Sequence, residues 1–261
     1  MMTITGPVSV LPLAMVLPVL WLSSCATTDT GADPWSVALA AKDLAAISQL
    51  LDSDEADANR SRPDGKTALM FASQLSDTEL VARLLTAGAD VNARNANGGT
   101  ALMYAALGGD ATVTALLLDA GARHDTKAKL GWTALEVAAV KGHISAARKL
   151  LEAGAEPDVR DTYGWTPLMR AVDTRHLAFA RMLLEETSTD LRARQESGAM
   201  ALHIAAASGD PAMVRLLVDH GAERDATDND GRTADDIARS LGHAEIADYL
   251  SGEEPLEQGG S

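Results

Sequence analysis

A five-residue phrase returns six times at almost constant spacing, and this restricts the fold more than any other feature of the chain. Gly65-Lys66-Thr67-Ala68-Leu69 is followed by Gly98-Gly99-Thr100-Ala101-Leu102, Gly131-Trp132-Thr133-Ala134-Leu135 and Gly164-Trp165-Thr166-Pro167-Leu168. Gly198-Ala199-Met200-Ala201-Leu202 and Gly231-Arg232-Thr233-Ala234-Asp235 complete the series, at steps of 33, 33, 33, 34 and 33 residues. A unit this short cannot bury a core alone, so the units must stack and share one.

Each cycle repeats the same local logic. The threonine is a natural helix N-cap, its hydroxyl accepting from an unpaired amide of the first turn. Ala or Pro follows, and proline is tolerated at a first helical position. Small residues come next (Ala105-Ala106, Ala138-Ala139, Ala205-Ala206), then glycines fit to end a helix at Gly109, Gly142, Gly209 and Gly242. A second helix closes on paired leucines such as Leu84-Leu85 and Leu117-Leu118, and Gly-Ala ends it at 88–89, 121–122, 154–155 and 221–222. Hydrophobic residues make up 46% of the chain but aromatics only 3%, so the apolar content is largely Ala and Leu, which favour helix over strand.

These cycles resemble the ankyrin repeat, with its 33-residue period and its T-P-L-H-x-A signature. Only Thr166-Pro167-Leu168 keeps the proline, and only Ala201-Leu202-His203 keeps the histidine. The resemblance covers residues 35–251, including a degenerate first cycle from Ala38 to Leu51. It implies an all-α solenoid of about seven helix-turn-helix repeats with short hairpin-like fingers. It also implies a protein that binds another protein through a concave face, without a cofactor and without catalysis.

The segment before the repeats reads differently. Residues 1–28 carry no charge, and an apolar run from Val8 to Leu22 leads into Leu22-Ser23-Ser24-Cys25, the only cysteine. This resembles a bacterial lipoprotein signal, in which the cysteine is lipidated. Residues 1–24 are then a signal peptide, 25–34 a lipidated Cys25 and its tether, and 252–261 a disordered polar tail. The resemblance places the chain in the bacterial cell envelope, anchored to the outer membrane and facing the periplasm. Met1 to Gly6 lack the usual positive charge, so an uncleaved hydrophobic anchor and a cytosolic or host-directed effector are the alternatives.

The formal charge of −15, from 37 acidic and 22 basic residues, argues against nucleic acid as a partner. A lone cysteine excludes an internal disulfide, and a monomer is expected. Gly65-Lys66-Thr67 lacks the first glycine of a phosphate loop, and Asp228-Asn229-Asp230-Gly231 lacks two ligands of a calcium loop, so no metal is expected. The six histidines read as structural.

The resemblance directs binding to the fifth position of each cycle and to the residues before the threonine. Five of the nine aromatics fall there: Phe71, Tyr104, Trp132, Tyr163 and Trp165, with Arg170 in the same fifth-position column. Such residues are typical interface anchors, although Trp132 and Trp165 could instead stack on neighbouring fingers. Six residues before the threonine stands a column of cations, Arg94, Lys127, Arg160 and Arg194. It could read an acidic partner or lipid headgroups, or belong only to finger architecture. Where Glu185-Glu186-Thr187-Ser188 replaces Gly-Ala and Met200 replaces threonine, the stack should be most mobile, across 185–199.

Overall fold

The computed structural model describes residues 33–53 and 57–253; the expected signal peptide, the expected lipidation site Cys25, the expected tether through residue 32 and the tail beyond 253 lie outside the described residues. Fourteen α-helices and no strand occur among the described residues, in seven successive pairs. The pairs are α1 (Pro34–Ala41) with α2 (Leu44–Leu50), α3 (Ala68–Gln74) with α4 (Thr78–Thr86), and α5 (Ala101–Gly108) with α6 (Ala111–Asp119). Then come α7 (Ala134–Lys141) with α8 (Ile144–Glu152), α9 (Pro167–Asp173) with α10 (Leu177–Glu186), α11 (Ala201–Ser208) with α12 (Pro211–Asp219), and α13 (Ala234–Ser240) with α14 (Ala244–Ser251). From α3 onward the odd-numbered helices pack on one another in order as an inner layer, and the even-numbered ones from α4 form the outer layer.

Threonine starts the inner helices as expected. The hydroxyls of Thr67, Thr100, Thr133, Thr166 and Thr233 accept the amide three residues on at 3.2–3.4 Å. Met200 has no hydroxyl; there His203 Nδ1 instead accepts the Met200 amide at 3.2 Å, and Nε2 donates to the Ala226 carbonyl at 3.0 Å. The one retained signature histidine thus ties α11 to the following finger. Aspartate caps α2, α4, α6 and α12, whereas His143, His176 and His243 occupy that position before α8, α10 and α14.

Alanine explains how closely the layers approach. Ala105, Ala106, Ala138, Ala139, Ala205 and Ala206 are fully buried between helices, while Leu84, Leu117, Leu150 and Leu183 fill the space behind them. At Gly108 even a methyl group is too large, since an added Cβ would stand 2.6 Å from the Gln74 carbonyl oxygen of the preceding inner helix.

The fingers are joined in series by backbone bonds. The amides of Ala96, Lys129, Thr162, Glu196 and Asn229 donate to Asp64, Asn97, Leu130, Tyr163 and Ser197 at 2.8–3.0 Å. Within a finger, one side chain usually organises the turn: Asp161 Oδ1 accepts from the amides of Tyr163 and Trp165, and Asp228 Oδ1 from those of Asp230 and Arg232. Asn95 does the same for Asn97 and Gly99.

Candidate functional site

The finger before α7 has Ala128 where its neighbours have Asn95 and Asp161, so no side-chain oxygen organises the turn. It folds instead as a short 3-10 turn over Lys129–Gly131, with Leu130 at φ 65°. A left-handed leucine costs about 1–2 kcal/mol, and Leu130 remains 47% exposed. One repeat on, at the equivalent position, Tyr163 is also 47% exposed. Two adjacent fingertips therefore carry large apolar side chains where other cycles carry Asp64, Asn97, Ser197 and Asp230.

A groove of about 320 Å³ lies between the finger before α7 and the inner helices α5 and α7. Met103, Tyr104, Trp132 and Val137 form its apolar walls, and Lys129 and Lys141 are the charged residues in its lining. Tyr104 is half-buried, and its hydroxyl accepts from the Asn95 amide nitrogen at 2.9 Å. Lys66 Nζ lies 5.9 Å from its ring centre. Trp132 is half-buried too.

The predicted strip is thus only partly assembled. Phe71 is 2% exposed, with Lys42 and Arg62 over its ring, so it belongs to the core and is corrected out of the accessible strip. Its fifth-position column does not face outward throughout, for Ile204 is likewise buried. Trp165 is half-buried and packed against the core. The guanidinium of Arg170 lies 4.9 Å from the centre of Trp132 and 4.5 Å from that of Trp165, within cation–π range of both. Arg170 also pairs with the buried Asp161, whose other oxygen organises its own finger just before α9. Arg170 therefore holds both indoles to the fold and has little of its charge left for a visitor.

Beside this cluster lies Glu136, fully buried at the slot His203 fills two repeats later. Its Oε2 accepts from the Thr133 amide at 2.8 Å and from the hydroxyl at 3.1 Å, while Oε1 has no partner among the described residues. Burial pushes its carboxyl up from the usual 4.5 to about 7, with the Asp161 charge adding to the rise and Arg170 and the Thr133 bonds opposing it. At neutral pH much of this carboxyl carries its proton. The buried imidazole of His203 is shifted the other way, downward, chiefly by desolvation.

The cationic column proves to be a series of staples. Arg94 donates to the Lys127 carbonyl at 2.6 Å, Lys127 to the Arg160 carbonyl at 2.9 Å, and Arg194 to the Thr227 carbonyl at 2.6 Å. Each reaches the equivalent residue of the next finger. Arg160 stands 3.9 Å from Asp190. These geometries account for cations at that position without a ligand. Among the described residues no group of His, Cys, Asp or Glu could hold a metal ion, and no helix is long and apolar enough to cross a membrane.

Sequence reasoning missed Leu130, Lys129, Lys141 and Met103. The signal for Leu130 was present, since an apolar residue in an otherwise polar fingertip column stands out beside Tyr163. Lys141 carried no such mark.

Comparison with known proteins agrees with this architecture. The family model for ankyrin repeats matches in three copies, over residues 35–128, 109–195 and 187–258. Among curated proteins, a 55-residue stretch is 44% identical to the human ARF GTPase-activating protein GIT1, covering 21% of this chain and 7% of that one. A 48-residue stretch is 44% identical to human protein phosphatase 1 regulatory subunit 27, covering 18% of this chain and 31% of that one. The chain therefore matches under a third of the length of either relative. Among solved structures, the human ASB11 ankyrin repeat domain superposes with a TM-score of 0.75 at 24% identity, over 87% of this chain and all of that one, a likeness of fold. With its family model matched from residue 35 to residue 258, the chain belongs to the ankyrin-repeat family.

Proposed function

We propose that this chain is a non-catalytic scaffold or inhibitor of the cell envelope, tethered through Cys25, that captures a protein partner on the inner face of its third to fifth repeats. Ankyrin repeats imply a protein–protein interaction role. The observation that carries the placement is the groove lined by Tyr104 and Trp132, on whose finger Leu130 is exposed, with Tyr163 exposed on the next finger. Half-buried aromatics beside open apolar tips resemble the anchor-and-rim arrangement of protein interfaces. The tether rests on the lipobox-like Leu22-Ser23-Ser24-Cys25 alone. More than one acyl chain on the cysteine would give a stable membrane hold.

A photo-crosslinking residue placed at Tyr163 should trap the partner in cells, whereas the same residue at Arg148 on the outer helix α8 should not. Equal trapping at both positions, or trapping only at the outer one, would sink the placement. Membrane fractionation with and without Cys25→Ser tests the anchor; a chain that stays in the membrane without its cysteine has no lipid tether there.

A further inference from the structure

Two lysines border the groove, and neither has a carboxylate partner among the described residues. Lys129 sits on the irregular finger and Lys141 at the end of α7, both exposed. In a chain with 37 acidic residues against 22 basic ones, many of the cations pair with a carboxylate. Arg60, Arg83, Arg148, Arg170, Arg192 and Arg232 all stand within 3 Å of a carboxylate. No acidic side chain lines the groove. The nearby carboxyl Glu136 is buried and pushed to about 7, so at neutral pH it contributes only part of a negative charge. The exposed cations of the finger column, by contrast, are occupied with backbone carbonyls.

Resting on the inner-face reading above, we infer that the groove binds an acidic peptide segment of the partner: an apolar or aromatic side chain seated between Tyr104, Trp132 and Val137, with adjacent Asp or Glu residues meeting Lys129 and Lys141. The apolar walls need an anchor that is buried without an unpaired polar group. The two free ammonium groups then select what flanks the anchor. The acidic surface elsewhere is compatible with this. At physiological ionic strength its field is screened within about 8 Å, whereas the lysines act at contact distance. That same net charge disfavours a long polyanion, which would extend well beyond the groove.

The test is selection of a random twelve-residue peptide library, displayed on phage, against the full chain. Enriched peptides should carry an apolar or aromatic residue with Asp or Glu within a few positions. Their affinity should fall about tenfold in Lys129→Glu/Lys141→Glu, and this loss should shrink as salt is raised. Trp132→Ala should abolish binding with the helical circular dichroism unchanged. Enrichment of basic or uncharged peptides, no enrichment, or acidic peptides indifferent to the lysine reversal would overturn the inference. So would anionic phospholipid vesicles or heparin binding as tightly as the selected peptides. The inner-face reading fails separately, by the crosslinking pattern at Tyr163 and Arg148. If Tyr163 traps the partner while the reversed lysines leave its capture unchanged, the face stands and the acidic chemistry falls.

Discussion

The joint between repeats four and five and the joint between repeats five and six hold equivalent turns together by different chemistry. At the first, the His176 ring covers the turn at Gly142, where an added Cβ would meet Nδ1 at 2.7 Å, and Nε2 lies 2.9 Å from the Val140 carbonyl. At the second, the corresponding pair is Asp210 and Arg175. Asp210 accepts from the Met213 amide of its own helix, and Arg175 keeps φ at 60° while its guanidinium reaches the Ser208 carbonyl. The same division runs along the stack. His143 covers Gly109 and His243 covers Gly209, whereas Lys42 and Ser76 stand at the turns followed by Asp77 and Asp110. A glycine occurs wherever the next repeat brings an imidazole, and a side chain wherever it brings an aspartate. Positive φ alone does not demand glycine here, because Lys42, Ser76 and Arg175 adopt it with side chains attached. The demand comes from the ring of the next repeat.

The largest expected effect lies on the histidine-latched side, at Glu136. Its folded-state pKa of about 7 exceeds the usual 4.5, so the folded chain keeps a proton that the unfolded chain releases. Its contribution to stability is full below about pH 4.5, falls as pH rises, and is lost above about pH 7. The shift corresponds to about 3 kcal/mol across that window. Denaturant titrations from about pH 5 to about pH 8 should show a decline that Glu136→Gln removes. His203 works in the opposite sense: its lowered pKa gives stability that is present above about pH 6.5 and lost as pH falls. The comparison of wild type with Glu136→Gln cancels that contribution. Parallel pH profiles for the two proteins would mean that the buried carboxyl is ionised in the fold.

Next in size is the latch itself. Gly142→Ala should cost about 2–3 kcal/mol, combining left-handed strain with collision against the His176 ring. Ser76→Ala, already at φ 59°, should cost under about 0.5 kcal/mol. If the ring is the cause, His176→Asp must recover part of the Gly142→Ala loss, with a coupling of about 1 kcal/mol in a double-mutant cycle. Additive losses would reduce the glycine–histidine pattern to coincidence.

The sequence shows clearly whatever is repeated. Period, threonine caps, alanine-packed inner helices and the glycine turns were all legible because each recurs at one offset and each has a local cause. The site was legible only in part. Phe71 and Tyr104 occupy the same column, yet one is core and the other lines a groove, because accessibility is set by the neighbouring repeats and not by position within the cycle. Arg170 read as a contact residue, but its partners Trp132, Trp165 and Asp161 lie 38, 5 and 9 residues back in the chain and meet only after stacking. The cations of Arg94, Lys127 and Arg194 donate to carbonyls 33 residues on, and side-chain type alone gives no sign of that.

A smaller effect sharpens the comparison from the aspartate side. Ser76→Gly relieves left-handed strain of about 1–2 kcal/mol, offset by about 0.5–1 kcal/mol of added freedom in the unfolded chain. A net gain of about 0.5–1 kcal/mol in denaturant unfolding is expected, since no histidine comes to fill the space. A loss would show that the side chain at these joints is itself a contact the stack needs.

The smallest effect concerns segment 185–199, on the aspartate-type joint that also lacks the Gly-Ala closure. There Thr187 bonds the Leu183 carbonyl at 2.6 Å and α10 ends without a left-handed residue. Across the joint the Asp190 amide donates to Asp158 at 3.0 Å and the Glu196 amide to the Tyr163 carbonyl at 2.9 Å, and the ion pair of Arg160 with Asp190 at 3.9 Å is exposed. Exposed ion pairs contribute little and weaken with salt. The missing threonine cap is made up only in part, because His203 serves the Met200 amide while its own amide has no side-chain acceptor. Amide exchange should therefore open this segment more readily than the equivalent stretch 152–166, by about 0.5 kcal/mol, with the gap widening as salt is added. Slower exchange at 185–199 than at 152–166 would reverse the ranking of the two joints and leave the histidine latch without a stability advantage.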